Sequence, residues 1–279
     1  MNVITKLMAR MQAGDTLACC GLDPDMRRLP AEVLRYAASD AEQVLYFLSV
    51  VVEITGPHVC AFKAQKAFFD ALDGGKEVLA EIVALVRRDY PEVPVFVDCK
   101  VGDIDNTMDS YTQLLLGKLG ADGVVVNPYM GDEVLEAFGG YPDRAVIVLV
   151  RTSNPGAAIV QDALMQDGRP LWQHVLQLVI ERWNANGNLI PVISSTAGLD
   201  LAAVRRQIPD EMPILLAGVG AQGGDYSDLR ALLNRDGVGV FVNSSRGLLY
   251  PPNSDGLPWQ EAVARATVDF KAALNRVRR

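Results

Sequence analysis

The chain has 279 residues, 49% of them hydrophobic and 22% charged, which is the balance of an ordinary soluble globular protein. Twenty-six basic residues against 34 acidic ones leave a formal charge of −8, so the chain lacks the basic footprint of nucleic-acid or anionic-membrane binders. Any anionic ligand must then be held by local positive charge, and no apolar run approaches the ~18 residues of a membrane span.

The first residues, Met1 to Gly14, place Lys6 and Arg10 in an amphipathic pattern, which predicts a first helix and not a signal peptide. Beyond it, a short apolar run followed by a longer segment, usually of helical period, recurs eight times. The runs are Leu17–Leu22, Val59–Phe62, Val93–Val97, Gly123–Val126, Ala145–Val150, Pro191–Ile193, Pro213–Leu216 and Gly237–Val242. Their length and β-branched content suit buried parallel strands. Helices are expected over Ala41–Ile54, Lys76–Tyr90, Asn106–Leu119, Pro170–Asn184, Leu199–Ile208 and Tyr226–Asn234, with Pro258–Arg276 closing the chain. Strand–helix units without a Gly/Ser linker predict one α/β domain over residues 1–279, a closed (β/α)8 TIM barrel. The alternative is an open doubly wound sheet, but the first run ends in Gly21-Leu22-Asp23-Pro24, which is no dinucleotide fingerprint. Cys19, Cys20, Cys60 and Cys99 lie in or beside apolar runs without metal-ligand spacing, so buried, reduced thiols and a cytoplasmic setting are expected.

In such a barrel the chemistry sits at the C-terminal ends of the strands. The first run is followed by Asp23, the second by Lys63, and the third by Asp98, Lys100 and Asp103. Asp98 and Lys100, two apart on a strand, would face the same side. A lone pair of this kind is as well explained by a structural ion pair. A second lysine on the neighbouring strand and another aspartate one short loop later favour a catalytic array. The last two strands lead into Gly218-Val219-Gly220-Ala221-Gln222-Gly223-Gly224 and Asn243-Ser244-Ser245-Arg246. Glycine-rich backbone beside an arginine suits a phosphate, and the loops after strands seven and eight are a recurrent place for one.

The Asp-x-Lys-x-x-Asp-Ile segment at Asp98–Ile104, with Thr107 following, resembles the central motif of orotidine 5′-monophosphate decarboxylases. Asp23 in Gly-Leu-Asp-Pro, Lys63 in Ala-Phe-Lys, Ser153 in Thr-Ser-Asn-Pro-Gly and the Gly218–Gly224 turn with Arg246 match in order, across nearly the whole chain. Length and the Phe-Lys-x-Gln segment are similar to the longer bacterial branch. The resemblance implies conversion of OMP to UMP in pyrimidine biosynthesis, with no cofactor and no metal. It implies that Lys100, Asp98, Lys63 and Asp103 are catalytic. Lys100 would stabilise charge at C6 and protonate it, Asp98 would face the substrate carboxylate, and Lys63 would orient Asp98 and contact the ribose. Asp23 would bind a ribose hydroxyl and Ser153 the pyrimidine amide edge. Gln222 would reach between base and phosphate, with Gly220, Gly223, Gly224 and Arg246 around the phosphate. It further implies a homodimer in which Asp103, Ile104 and Thr107 enter the partner's site.

Two other functions compete with this one. A sugar-phosphate lyase or decarboxylase of the hexulose-phosphate synthase type shares the motif but needs Mg²⁺ and an acidic residue where Lys63 stands. A non-catalytic nucleotide-phosphate sensor would have no use for converging lysines and aspartates away from the phosphate. The remaining prominent residues receive structural readings. These are His58 at a strand start, His174 on a helix, Lys66 and Asp70 as surface charges, Asp105 as a helix cap, and Trp172, Trp183 and Trp259 as packing. Asn127 and Tyr129 are candidates to line the site, without an assigned role.

Overall fold

Runs of Val, Ile, Leu and Phe buried on both faces form parallel strands, because branched side chains fit a pleated surface that helices cover. The computed structural model describes residues 2–219 and 226–278. Its strands are β1 (Ala18–Leu22), β2 (Ala61–Gln65), β3 (Val95–Val101), β4 (Gly123–Val126), β5 (Ala145–Leu149), β6 (Leu189–Ser194), β7 (Ile214–Ala217) and β8 (Val240–Ser244). Each pairs in parallel with the next, and β8 returns to β1 through the Cα partners Ala18–Val242, Cys19–Asn243 and Cys20–Ser244. Closure removes the sheet edges, and helices between the strands complete the expected (β/α)8 TIM barrel.

The opposite end of the barrel is closed by the first helix, Val3–Ala13, whose N-terminus is capped by the Asn2 side chain accepting from Ile4 N at 2.7 Å. From that helix Lys6 pairs with the buried Asp122 (3.2 Å), and Arg10 donates to the carbonyls of Gly56 and Val59. Among the described residues no helix is long and apolar enough to cross a membrane. Cys19, Cys20 and Cys60 are buried free thiols, and Cys99 is half-buried. Burial pushes the Cys20 thiol up to about 12.

Several elements differ from expectation for definable reasons. Strands two and three were expected to end at Phe62 and Val97, where charge begins, but β2 runs on through Lys63 to Gln65 and β3 through Asp98 and Lys100 to Val101. Mutual ion pairing inside the barrel lets them continue. The segment Asn106–Leu119 is not one regular helix. An α-helix over Asp105–Thr112 gives way to a wide π-turn over Gln113–Lys118, with Leu119 N donating to Leu114 O, five residues back. The widened turn buries the consecutive Leu115 and Leu116 while leaving Leu114 outside. Asp105 does not cap this helix, because it is the first helical residue, at φ +48, and Ile104 holds the cap position without a side-chain bond. The expected helix Tyr226–Asn234 resolves into a 3-10 turn, Tyr226–Asp228, and a single turn, Leu229–Leu232. Asn234 ends it, since its side chain accepts from Asp236 N and Val238 N and so builds a turn instead. His58 sits in the 3-10 turn Gly56–His58 ahead of β2.

The seam between β1 and β8 is tight at Gly21, where an added Cβ would fall on the Ser245 hydroxyl and lie within 2.8 Å of its Cβ. Overpacking of this kind costs about 1–3 kcal/mol. Gly21→Ala is therefore expected to lower the urea midpoint by a stability loss in that range, and an unchanged midpoint would show that the seam can open freely.

Candidate active site

At the mouth of the barrel β2 and β3 are in register through Lys63–Phe96 and Gln65–Asp98. This pairing brings Lys63 and Asp98 together inside the barrel. Lys63 Nζ donates to Asp98 Oδ2 at 2.7 Å, and Lys100 Nζ donates to Asp98 Oδ1 at 2.6 Å. One carboxylate thus bridges two ammonium groups. Lys63 is enclosed, its side chain 7% exposed, whereas that of Lys100 is 45% exposed. Simple alternation does not explain how Lys100 arrives there. The β3–β4 register shifts between Asp98 and Val101, and Lys100 has φ +46, a conformation a non-glycine residue adopts at a cost of about 1–3 kcal/mol.

The charges support one another. Burial alone would push the Lys63 amine down, but Asp98 and Asp23 outweigh it and hold the group above the ordinary lysine range. Burial would likewise raise Asp98, but Lys63 and then Lys100 overcome it and hold its carboxyl below the usual carboxylate range. Asp23 closes the array on the β1 side, its Oδ1 accepting from Gln65 N at 3.2 Å.

Lys63, Asp98, Lys100 and Ser153 line a cavity of about 400 Å³, with Asn154 and Gln161 on its wall. A second cavity of about 390 Å³ is lined by Asp23, Arg246, Arg28, Tyr226 and Tyr250. Gly218 and Asn243 belong to both, so the two lobes share a rim. Gly218 has φ +89, and an added Cβ would lie 2.9 Å from the Ser153 Cβ, so only glycine lets the end of β7 pass so close to Ser153.

Of the residues singled out in the sequence, Lys63, Asp98, Lys100 and Ser153 meet in the first lobe, and Asp23 and Arg246 in the second. Asp103, Ile104 and Thr107 line neither lobe, and Ile104 and Thr107 are exposed. Gly220, Gln222, Gly223 and Gly224 lie outside the described residues. Asn127 and Tyr129 also fall away from both lobes. Asn127 Oδ1 accepts from Tyr129 N to cap a 3-10 turn, and Tyr129 is 80% exposed. Sequence reasoning missed Asn154, Gln161, Asn243, Arg28 and Tyr250. Asn243 was within reach of the strand-end rule. Gln161 was not, because its place depends on a distant bond, its Oε1 accepting from Thr152 N at 2.8 Å.

The sequence profile of the Orotidine 5'-phosphate decarboxylase / HUMPS family matches residues 18–254. The chain is 39% identical over 279 residues to an orotidine 5'-phosphate decarboxylase of Bordetella petrii, covering all of both chains. It is 39% identical over 277 residues to that of a Janthinobacterium species, covering 99% of each. Among solved structures, an OMP decarboxylase of Leishmania donovani superposes with a TM-score of 0.83 at 30% identity, over 100% of this chain and 99% of that one.

Removing Asp98 strands a buried ammonium, a change that typically costs about 3–5 kcal/mol. Asp98→Ala is expected to lose about that much stability at pH 7, read by urea unfolding. The folded carboxyl of Asp98 lies below its unfolded value of ~3.9, so its contribution is complete above that pH and fades as pH falls through the folded value. The gap between wild type and variant should therefore close on acidification, and a gap independent of pH would contradict the array.

Proposed function

This chain belongs to the orotidine 5′-phosphate decarboxylase / HUMPS family, and from that premise we propose how its side chains decarboxylate OMP to UMP and CO₂ in pyrimidine biosynthesis. The observation that carries the reading is the Asp98 carboxylate bridging an enclosed lysine and an accessible one in the lining of a cavity.

The two lysines divide the work by their exposure. Lys63 is enclosed and holds Asp98 in place, while Lys100 opens into the cavity and can reach a ligand. With OMP bound, the Asp98 negative charge stands against the substrate carboxylate. As the C6–carboxylate bond breaks, CO₂ leaves and the electron pair remains on C6, where the Lys100 ammonium stabilises it. Lys100 then gives C6 a proton and recovers one from solvent. No carbonyl of the pyrimidine is placed to absorb those electrons. Fixed charges must therefore supply a barrier reduction toward the upper part of the ~8–23 kcal/mol range of enzymes. Ser153 addresses the pyrimidine amide edge and Asp23 a ribose hydroxyl. Gln222 reaches between base and phosphate, and Arg246 with the backbone of Gly220, Gly223 and Gly224 takes the phosphate. The phosphate is remote from the breaking bond, so its binding energy acts by ordering the site. In the Mg²⁺-dependent branch of the resemblance an acidic residue stands at Lys63. Here an ammonium held 2.7 Å from Asp98 opposes a divalent cation at that place. Free thiols suit a reducing cytoplasm.

The reading includes a homodimer. Asp103, Ile104 and Thr107 line neither of the two lobes, and Ile104, Leu114, Tyr129 and Met130 expose apolar surface beyond β3 and β4. A second copy covering that surface would receive Asp103 into its site and extend the array to Lys–Asp–Lys–Asp.

Purified protein in EDTA is expected to consume OMP, followed by absorbance, and Lys100→Ala to lose at least about 10²–10⁴-fold in kcat, the range for a positioned proton donor. Turnover only with Mg²⁺, or none, would overturn the reading. Mixing inactive Lys100→Ala with inactive Asp103→Ala should restore part of the activity through mixed dimers carrying one intact site. Sedimentation as a monomer, or no recovery on mixing, would refute the shared site.

A further inference from the structure

The lobe lined by Arg246 contains a second cation, Arg28, that no motif marks. Immediately after β1 the chain makes a 3-10 turn, Met26–Arg28, started by Asp25, whose side chain accepts from Arg27 N. The Asp25 carboxylate is engaged by the Arg27 guanidinium, with Nε at 2.9 Å from Oδ1 and Nη2 at 3.1 Å from Oδ2. Arg28 is thereby left to other partners, and among the described residues neither it nor Arg246 pairs with a carboxylate. Both arginines line the same cavity of about 390 Å³.

The position of Arg28 is set by an aromatic ring. Its guanidinium carbon lies 4.9 Å from the centroid of the Tyr250 ring, which stacks in turn on the buried Phe47 at 5.6 Å and 9°. Tyr250 follows directly on the helix Arg246–Leu249, and its hydroxyl accepts from Asp25 N at 2.8 Å. One ring therefore fixes both the turn that presents Arg28 and the end of the helix that begins with Arg246. A guanidinium held over a ring can still present N–H groups to an acceptor, and phosphate recognition by arginine uses those donors.

We propose that Arg28 is a second phosphate-binding residue, meeting the nucleotide phosphate in the same lobe as Arg246 and making the site prefer a nucleotide over its nucleoside. This rests on the reading that the lobe takes the phosphate. The competing account is that Arg28 only covers the face of Tyr250. The two differ in what they do to ligands with and without a phosphate.

The test is competitive inhibition of OMP turnover by UMP and by uridine, for wild type, Arg28→Ala, Arg28→Lys and Arg246→Ala. A lost charge-assisted contact at a partly exposed site corresponds to roughly tenfold in affinity. Arg28→Ala should weaken UMP by about that factor, leave uridine unchanged and flatten the salt dependence of UMP binding. Arg28→Lys keeps the charge without the planar fork and should restore part of the loss. If UMP and uridine weaken equally, or UMP does not weaken, the inference is overturned. Arg246→Ala separates this from the parent reading. If it erases the preference for UMP over uridine while Arg28→Ala does not, the phosphate lobe stands and Arg28 falls. If neither variant changes the preference, both fall.

Discussion

A carboxylate sits at the mouth of the barrel with its two oxygens on two different lysines, and most of the local architecture follows from keeping it there. Removing the Lys63 and Asp98 charges from bulk water is unfavourable unless each has a partner. Asp98 can remain ionised only because Lys63 is enclosed beside it and Lys100 reaches it from the other side. The pairing carries β2 and β3 beyond their apolar segments and accompanies the register shift and left-handed backbone around Lys100. Buried ion pairs are weak stabilisers, and well-packed apolar residues would often serve the fold as well. They do preorganise a site, since charges already fixed in place need not reorient when charge develops beside them.

The barrel separates two clusters of charge in space. β2, β3 and the loop after β5 build the lobe of lysines, Asp98 and Ser153, while the ends of β1 and β8 build the lobe of arginines. Asn243 and Gly218 form the common rim, so a ligand spanning both lobes would be held at one end by charge far from the reacting bond. Binding energy collected remotely is useful only if the rest of the ligand is thereby held in register with the reactive groups.

The eight runs became eight strands because parallel strands covered by helices are apolar along their whole length, a pattern that needs no partner to be read. The strand-end rule located Lys63, Asp98, Lys100 and Arg246 for a related reason, since charge after an apolar run is conspicuous. The same rule stopped β2 and β3 too early, because a lysine inside a barrel looks like the start of a loop until its carboxylate is known. Asn154, Gln161 and Arg28 were missed for want of periodicity. Arg28 lies in a 3-10 turn tied down by the Tyr250 hydroxyl on Asp25 N, and Gln161 ends a short helix with its amide reaching back to Thr152. The π-turn at Gln113–Lys118 was invisible because its two adjacent buried leucines also fit a regular helix with one of them half-exposed.

The seam that closes the barrel joins Cys19 to Asn243, 224 residues apart in the chain. During synthesis from the N-terminus, β1 has a partner on only one side until β8 has emerged, so the nascent sheet carries an open edge for most of translation. Asp23 and Arg28 sit on the early side of that seam and Arg246 on the late side, and no incomplete barrel contains the whole lobe. A nucleotide occupying it would therefore bind only the finished, closed form and draw the folding equilibrium toward closure by mass action. A ligand seated across that seam would act as a latch for the ring.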